Sequence, residues 1–140
     1  MGVARTATRT SAIKPFRVRR SAEVAPASFY WWPITAAKIR HAAQKLVDEL
    51  QPEKIILFGS FAYGHPTIDS DVDLLIIMHS KSRPVDRIRQ ASAVLDPRPF
   101  PVDIIVRTPA EIAERLRIKD CFIEEIVTKG KVLYERPSRR

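Results

Sequence analysis

Residues 53–78 read EKIILFGSFAYGHPTIDSDVDLLIIM, and the organisation of the chain follows from them. Glu53 to Phe58 is a compact apolar run of β-branched and aromatic residues, the pattern of a buried strand. Gly59-Ser60 follows at once. A glycine there lets the backbone turn tightly and approach a ligand, and Ser60 offers a hydroxyl and an N–H to an anion. The stretch to Ser70, with two glycines and a proline, predicts a loop that can include a helical turn. Val72 to Met78 is a second strand. Asp71 and Asp73, two apart at its entry, project to one side while Val72 and Leu74 take the other.

Working outward, Ile39, Ala42, Ala43, Leu46, Val47 and Leu50 recur at helical spacing and predict an amphipathic helix over 35–50, with Pro52 beyond its end. On the other side, Pro84 to Leu95 reads as a helix and Val102 to Val106 as a third strand framed by prolines. Thr108-Pro109-Ala110-Glu111 sets a cap, a proline at the first helical position and an acid at the third, and predicts a helix to about Arg117. Another helix is expected on Phe122, Ile123, Ile126 and Val127, stopped by Gly130. Lys131 to Glu135 is a candidate last strand. The order α-β-(loop)-β-α-β-α-α-β implies a small α/β or α+β sheet domain over residues 34–136, with 137–140 as a short C-terminal tail.

Composition bounds the reading. The 140 residues are 45% hydrophobic and 29% charged, a globular balance that excludes wholesale disorder. No run of about 18 apolar residues exists, so a transmembrane helix is excluded and no membrane partner is expected. The single cysteine, Cys121, has no internal disulfide partner, which fits a reducing cytoplasmic setting. It reads as packing on an amphipathic helix rather than as a nucleophile. The formal charge of +8 is unevenly placed: residues 1–33 hold six basic side chains and one acid, and the remainder holds 18 basic and 15 acidic groups. Residues 1–33 have no apolar period and read as a disordered basic tail. The tail imitates an organellar transit peptide and could equally be a nucleic-acid-binding arm; nucleic acid is otherwise not an expected partner. Phe29 to Trp32 form an apolar knot before Pro33.

The chemistry concentrates in three acids. Asp71 and Asp73 repel each other, and Asp103, standing among the apolar residues of the third strand, is expected to pay desolvation as well. A divalent cation reverses the sign of that arrangement, because carboxylate oxygens are the preferred ligands of Mg²⁺. If the third strand lies beside the second, three carboxylates converge, enough to hold two Mg²⁺ about 4 Å apart for in-line displacement at phosphorus. Asp-x-Asp alone is often a solvated turn; the conjunction with a preceding strand, Gly-Ser, ten residues and a third strand Asp is far more specific. No Gly-Lys-Ser/Thr forms a Walker-type loop, Ser60 has no evident histidine partner, and His41, His65 and His79 lack metal-ligand spacing.

Gly59-Ser60, ten residues, then Asp71-Val72-Asp73 resembles the signature of the DNA polymerase β-like nucleotidyltransferase superfamily, and the short body resembles its minimal nucleotidyltransferase branch. The resemblance covers about residues 34–136. It implies a small mixed β-sheet with flanking helices, and Mg²⁺-dependent transfer of a nucleoside monophosphate from an NTP, ATP in the leading reading, to a hydroxyl. Carried over by position, Asp71 and Asp73 resemble the metal-binding pair, Asp103 the third carboxylate and acceptor of the attacking hydroxyl's proton, and Gly59 and Ser60 the phosphate contacts. Tyr63 and His65 depart from the pattern, standing where relatives often carry arginine and an acid; a lost guanidinium removes a rigid anion fork.

Proteins of this branch resemble the antitoxin of two-component modules with a helical HEPN-domain ribonuclease toxin, which implies adenylylation of a toxin tyrosine. The body is small for an acceptor pocket, so a partner chain is expected to complete it. Three alternatives stand beside this: a non-catalytic antitoxin acting by occlusion, nucleotidylation of a small molecule such as an aminoglycoside with the pocket completed in an oligomer, and nucleic-acid binding by the tail.

Overall fold

The computed structural model describes residues 31–138. The expected disordered tail over residues 1–33 lies outside them except for Trp31–Pro33, and so do Phe29 and Tyr30 of the expected knot over Phe29 to Trp32. The chain divides into two units, Met1–Pro33 with Thr67–Asp69, and Ile34–Pro66 with Ser70–Arg140. The second carries every helix and strand below.

Nine elements follow in order: α1 (Ala36–Leu50), β1 (Lys54–Phe58), α2 (Ser60–Tyr63), β2 (Val72–Ile77), α3 (Pro84–Val94), β3 (Val102–Arg107), α4 (Pro109–Arg117), α5 (Cys121–Lys129) and β4 (Lys131–Glu135). The four strands form one sheet in the order β3-β2-β1-β4. β1 pairs antiparallel with both β2 and β4, whereas β2 and β3 run parallel, so the sheet is mixed. The parallel pair requires a crossover, and α3 supplies it.

Burial follows the pleat. Ile56, Phe58, Leu75 and Ile77 point to one face and pack with Ile112 of α4 and Ile123 and Ile126 of α5. Leu74, Ile76, Ile104 and Val106 point the other way and are buried too. α1 and α3, which touch each other and lie against β4 and β3 respectively, are the elements left to cover that second face. The central strands, closed on both sides, therefore read as continuous apolar runs rather than alternations.

The ends of the helices are chemically specified. Thr35 caps α1, its hydroxyl accepting from the Lys38 N–H at 3.2 Å. α4 begins with a complete capping box, the Thr108 hydroxyl accepting from the Glu111 N–H and the Glu111 carboxylate from the Thr108 N–H. Asp120 caps α5 through Oδ1, which accepts from the N–H groups of Phe122 and Ile123. Two expectations on α5 are corrected. Cys121 is exposed rather than packed, and Phe122 belongs only partly to the apolar face, because the helix buries Ile123 and Ile126 one step round.

Candidate active site

Gly59 leaves β1 with φ 75° and ψ −156°, a conformation open only to glycine. Its carbonyl accepts from the N–H groups of Ala62 and Tyr63, both at 3.0 Å, and this closes the single turn of α2. The turn also explains the glycine from the other side: a β-carbon at position 59 would overlap Oδ2 of Asp73. The Asp73 carboxylate thus lies directly on the bare backbone of the Gly-Ser bend.

The parallel register of β2 and β3 sets Asp73 opposite Asp103, as Val72 sits opposite Val102. The N–H of Val72 donates to the carbonyl of Pro101 at 3.0 Å and fixes that alignment where the strands begin. On the other side of β2, Asp73 pairs with Phe58. A row therefore crosses the sheet on one face: Asp103, Asp73, Phe58. Asp71 stands just before β2 and is exposed.

The electrostatics confirm that these acids feel one another. The carboxyl of Asp73 is pushed up to about 6, first by burial, then by the negative charge of Asp103, then by that of Asp71. The expected desolvation of Asp103 is corrected here: β3 is an edge strand whose residues alternate, and Asp103 falls on an exposed position. The burial cost is borne by Asp73 instead, in the interior strand.

The donor chemistry fits Mg²⁺, a hard cation that takes carboxylate oxygens. Among the described residues no group of three or more His, Cys, Asp or Glu is assembled to hold a metal ion by itself. The chemistry of Mg²⁺ does not demand such a cage, since the ion is commonly bound by one or two carboxylates with substrate phosphates completing its shell. A carboxyl held protonated to higher pH by burial and by neighbouring carboxylates marks a place where a cation would relieve the repulsion.

Residues 38–134 match the family described as a nucleotidyltransferase domain. The chain belongs to that family. This nucleotidyltransferase is similar in fold to several solved structures. One is a toxin–antitoxin MntA-HpeT mutant (21% identity, covering 74% of this chain and 75% of that one, TM-score 0.49). Another is a toxin–antitoxin with AMP-PNP (23% identity, 69% and 73% covered, TM-score 0.49). A third is a tri-AMPylated Shewanella oneidensis HEPN toxin in complex with MNT antitoxin (19% identity, 69% and 72% covered, TM-score 0.43). No curated protein matches the sequence.

Sequence reasoning left two neighbours of the acids unnoticed. Phe58 closes the acid row, and Phe122 meets it edge to face with ring centroids 5.8 Å apart. Both were visible as aromatics next to Gly59 and at the start of a helix, but only the register sets Phe58 beside Asp73, and only the packing of α5 sets Phe122 on Phe58. Tyr63, at the end of α2, is 40% exposed.

Proposed function

We propose that this nucleotidyltransferase moves AMP from ATP to a hydroxyl of a protein partner. Asp71, Asp73 and Asp103 are its metal-binding and catalytic carboxylates, and Gly59 and Ser60 its phosphate contacts. The observation that supports this most directly is the in-register pair Asp73–Asp103, lying against a glycine–serine bend inside a nucleotidyltransferase domain.

Bound Mg²⁺ would be held by the three aspartates and would neutralise charge building on the phosphate oxygens. The chain's own groups do the rest. Gly59 leaves room at the bend, and Ser60 presents its hydroxyl and N–H to the phosphates. Asp103, exposed on the edge strand, takes the proton of the acceptor hydroxyl. As that oxygen bonds to the α-phosphorus, the bond to pyrophosphate breaks and pyrophosphate departs.

The acceptor we put forward is a tyrosine of a HEPN-domain toxin, the partner class in the similar complexes, with this chain as the cytoplasmic antitoxin. Incubation with ATP labelled at the α-phosphate, Mg²⁺ and the product of the adjacent gene should label that product. Label that persists in the Asp71→Ala plus Asp73→Ala protein would overturn the assignment. Toxin neutralisation by that double variant, without label, would mark an antitoxin that acts by occlusion.

A further inference from the structure

Phe122, like Val127, lies off the buried stripe of its helix. Ile123 and Ile126 are buried against the sheet, while Phe122 is 51% exposed. It still has a fixed seat, with its ring at 84° to that of buried Phe58. An edge-to-face contact of this kind leaves at least one face of the outer ring unused. Phe58 pairs directly with Asp73, and Asp73 with Asp103. The exposed ring therefore packs on the strand residue paired with Asp73, on the same sheet face as the acids.

The start of α5 offers this ring and not an anion site. The N–H groups of Phe122 and Ile123, the second and third residues of the helix, already donate to Oδ1 of Asp120 at 2.9 and 3.2 Å. The Ile123 N–H first, and then the Arg115 guanidinium 2.7 Å away, hold the Asp120 carboxyl below its ordinary value. A phosphate approaching the helix end would meet a carboxylate. An uncharged, flat, π-rich group would meet an aromatic surface.

We infer that the exposed ring of Phe122 is the platform on which the base of the nucleoside triphosphate stacks, while its phosphates lie at the acids. This rests on the nucleotidyl-transfer reading above. The geometry assigns the two ends of one ligand to two chemistries: charge and metal at Asp71, Asp73 and Asp103, and an apolar face at Phe122. Stacking of this sort tolerates any base, so it grips the nucleoside without selecting among purines.

Calorimetric titration of the full chain with Mg²⁺-ATP and, separately, with Mg²⁺-tripolyphosphate tests the inference. Phe122→Ala and Phe122→Leu should each weaken ATP binding about tenfold, Phe122→Trp should retain it, and tripolyphosphate should bind all four proteins alike. ATP affinity that is unchanged in Phe122→Ala overturns the inference, as does an equal loss for both ligands. Unmutated protein supplies a second readout, because exposed Cys121 immediately precedes Phe122 in the chain. ATP should slow alkylation of its thiol and tripolyphosphate should not; equal rates with both ligands count against the platform. Wild-type protein that binds neither ligand sinks the nucleotidyl-transfer reading itself. Wild-type protein that binds both equally leaves that reading standing and removes the stacking.

Discussion

At position 59 two independent constraints select glycine: a backbone at φ 75° and ψ −156°, and the Asp73 carboxylate resting where a side chain would begin. Gly59→Ala should therefore cost about 1–3 kcal/mol of stability from the backbone alone. It should also displace Asp73 and abolish label transfer, so thermal unfolding and the transfer assay would fall together. Asp73 itself makes a pH prediction. Its folded-state pKa of about 6 lies above the ordinary 3.8, so between those values the folded chain holds more protons than the unfolded one. The contribution of Asp73 to the stability of the metal-free protein should then decline as pH rises from about 4 to 6, and stay low above it. Asp73→Asn, which cannot ionise, should be more stable than wild type at pH 7.5 by on the order of 1 kcal/mol, a figure kept small because the carboxylate is half in water. The gap should close at pH 4 and narrow when Mg²⁺ is added. These residues were legible in the sequence because their chemistry is local: Gly-Ser after a strand and Asp-x-Asp before one. The exposure of Asp103 was not, since it depends on β3 lying at the edge of the sheet.

Between elements, the most specific contact is made by Arg87. This residue of α3 is only 7% exposed, and its guanidinium donates to the Ser82 carbonyl at 3.0 Å and to Glu111 Oε1 at 2.8 Å. The same carboxylate oxygen accepts from the Thr108 N–H at 2.9 Å, so the crossover helix is tied to the capping box that opens α4. Arg87→Ala should cost about 2 kcal/mol, below the 3–5 of a fully buried pair because Glu111 is partly in water. Glu111→Gln, which keeps the cap and loses the charge, should cost less, and chemical denaturation ranks the two. The hydrogen bond from Arg87 holds the Glu111 carboxyl below its ordinary 4.5. The stability it contributes is whole above that value and disappears as pH falls through the folded one. Acid unfolding of Glu111→Gln should accordingly be shallower than that of wild type. The capping box was readable from four consecutive residues, Thr108 to Glu111. Arg87 was not, because a lone arginine on a helix reads as solvated until the element 24 residues away is folded against it. The single turn of α2 was foreseen only as an option within a loop, being too short to carry a period.

On the scale of the molecule, the proposed site of three acids calls for a ligand that offsets their charge. Mg²⁺-ATP at about a hundred times its dissociation constant should stabilise the fold by about 2.7 kcal/mol, raising the melting temperature by on the order of 10 °C. The Asp71→Ala plus Asp73→Ala protein should show no such rise, and ATP with a chelator should give little even in wild type; differential scanning calorimetry decides both. The strands and helices of the sheet domain could be read one by one, but the order β3-β2-β1-β4 could not, because no local pattern says which strands become neighbours.

Since β2 and β3 run parallel, the backbone must leave the sheet after Ile77 and travel through α3 before Asp103 can stand beside Asp73. Lys81, followed by Ser82, is exposed on the way out. A single tryptic cut there removes no acid and no phosphate contact, yet it turns a tethered pairing into an encounter between two fragments. Nicked protein should therefore lose its turnover on dilution, while the intact chain keeps the same specific rate at every concentration.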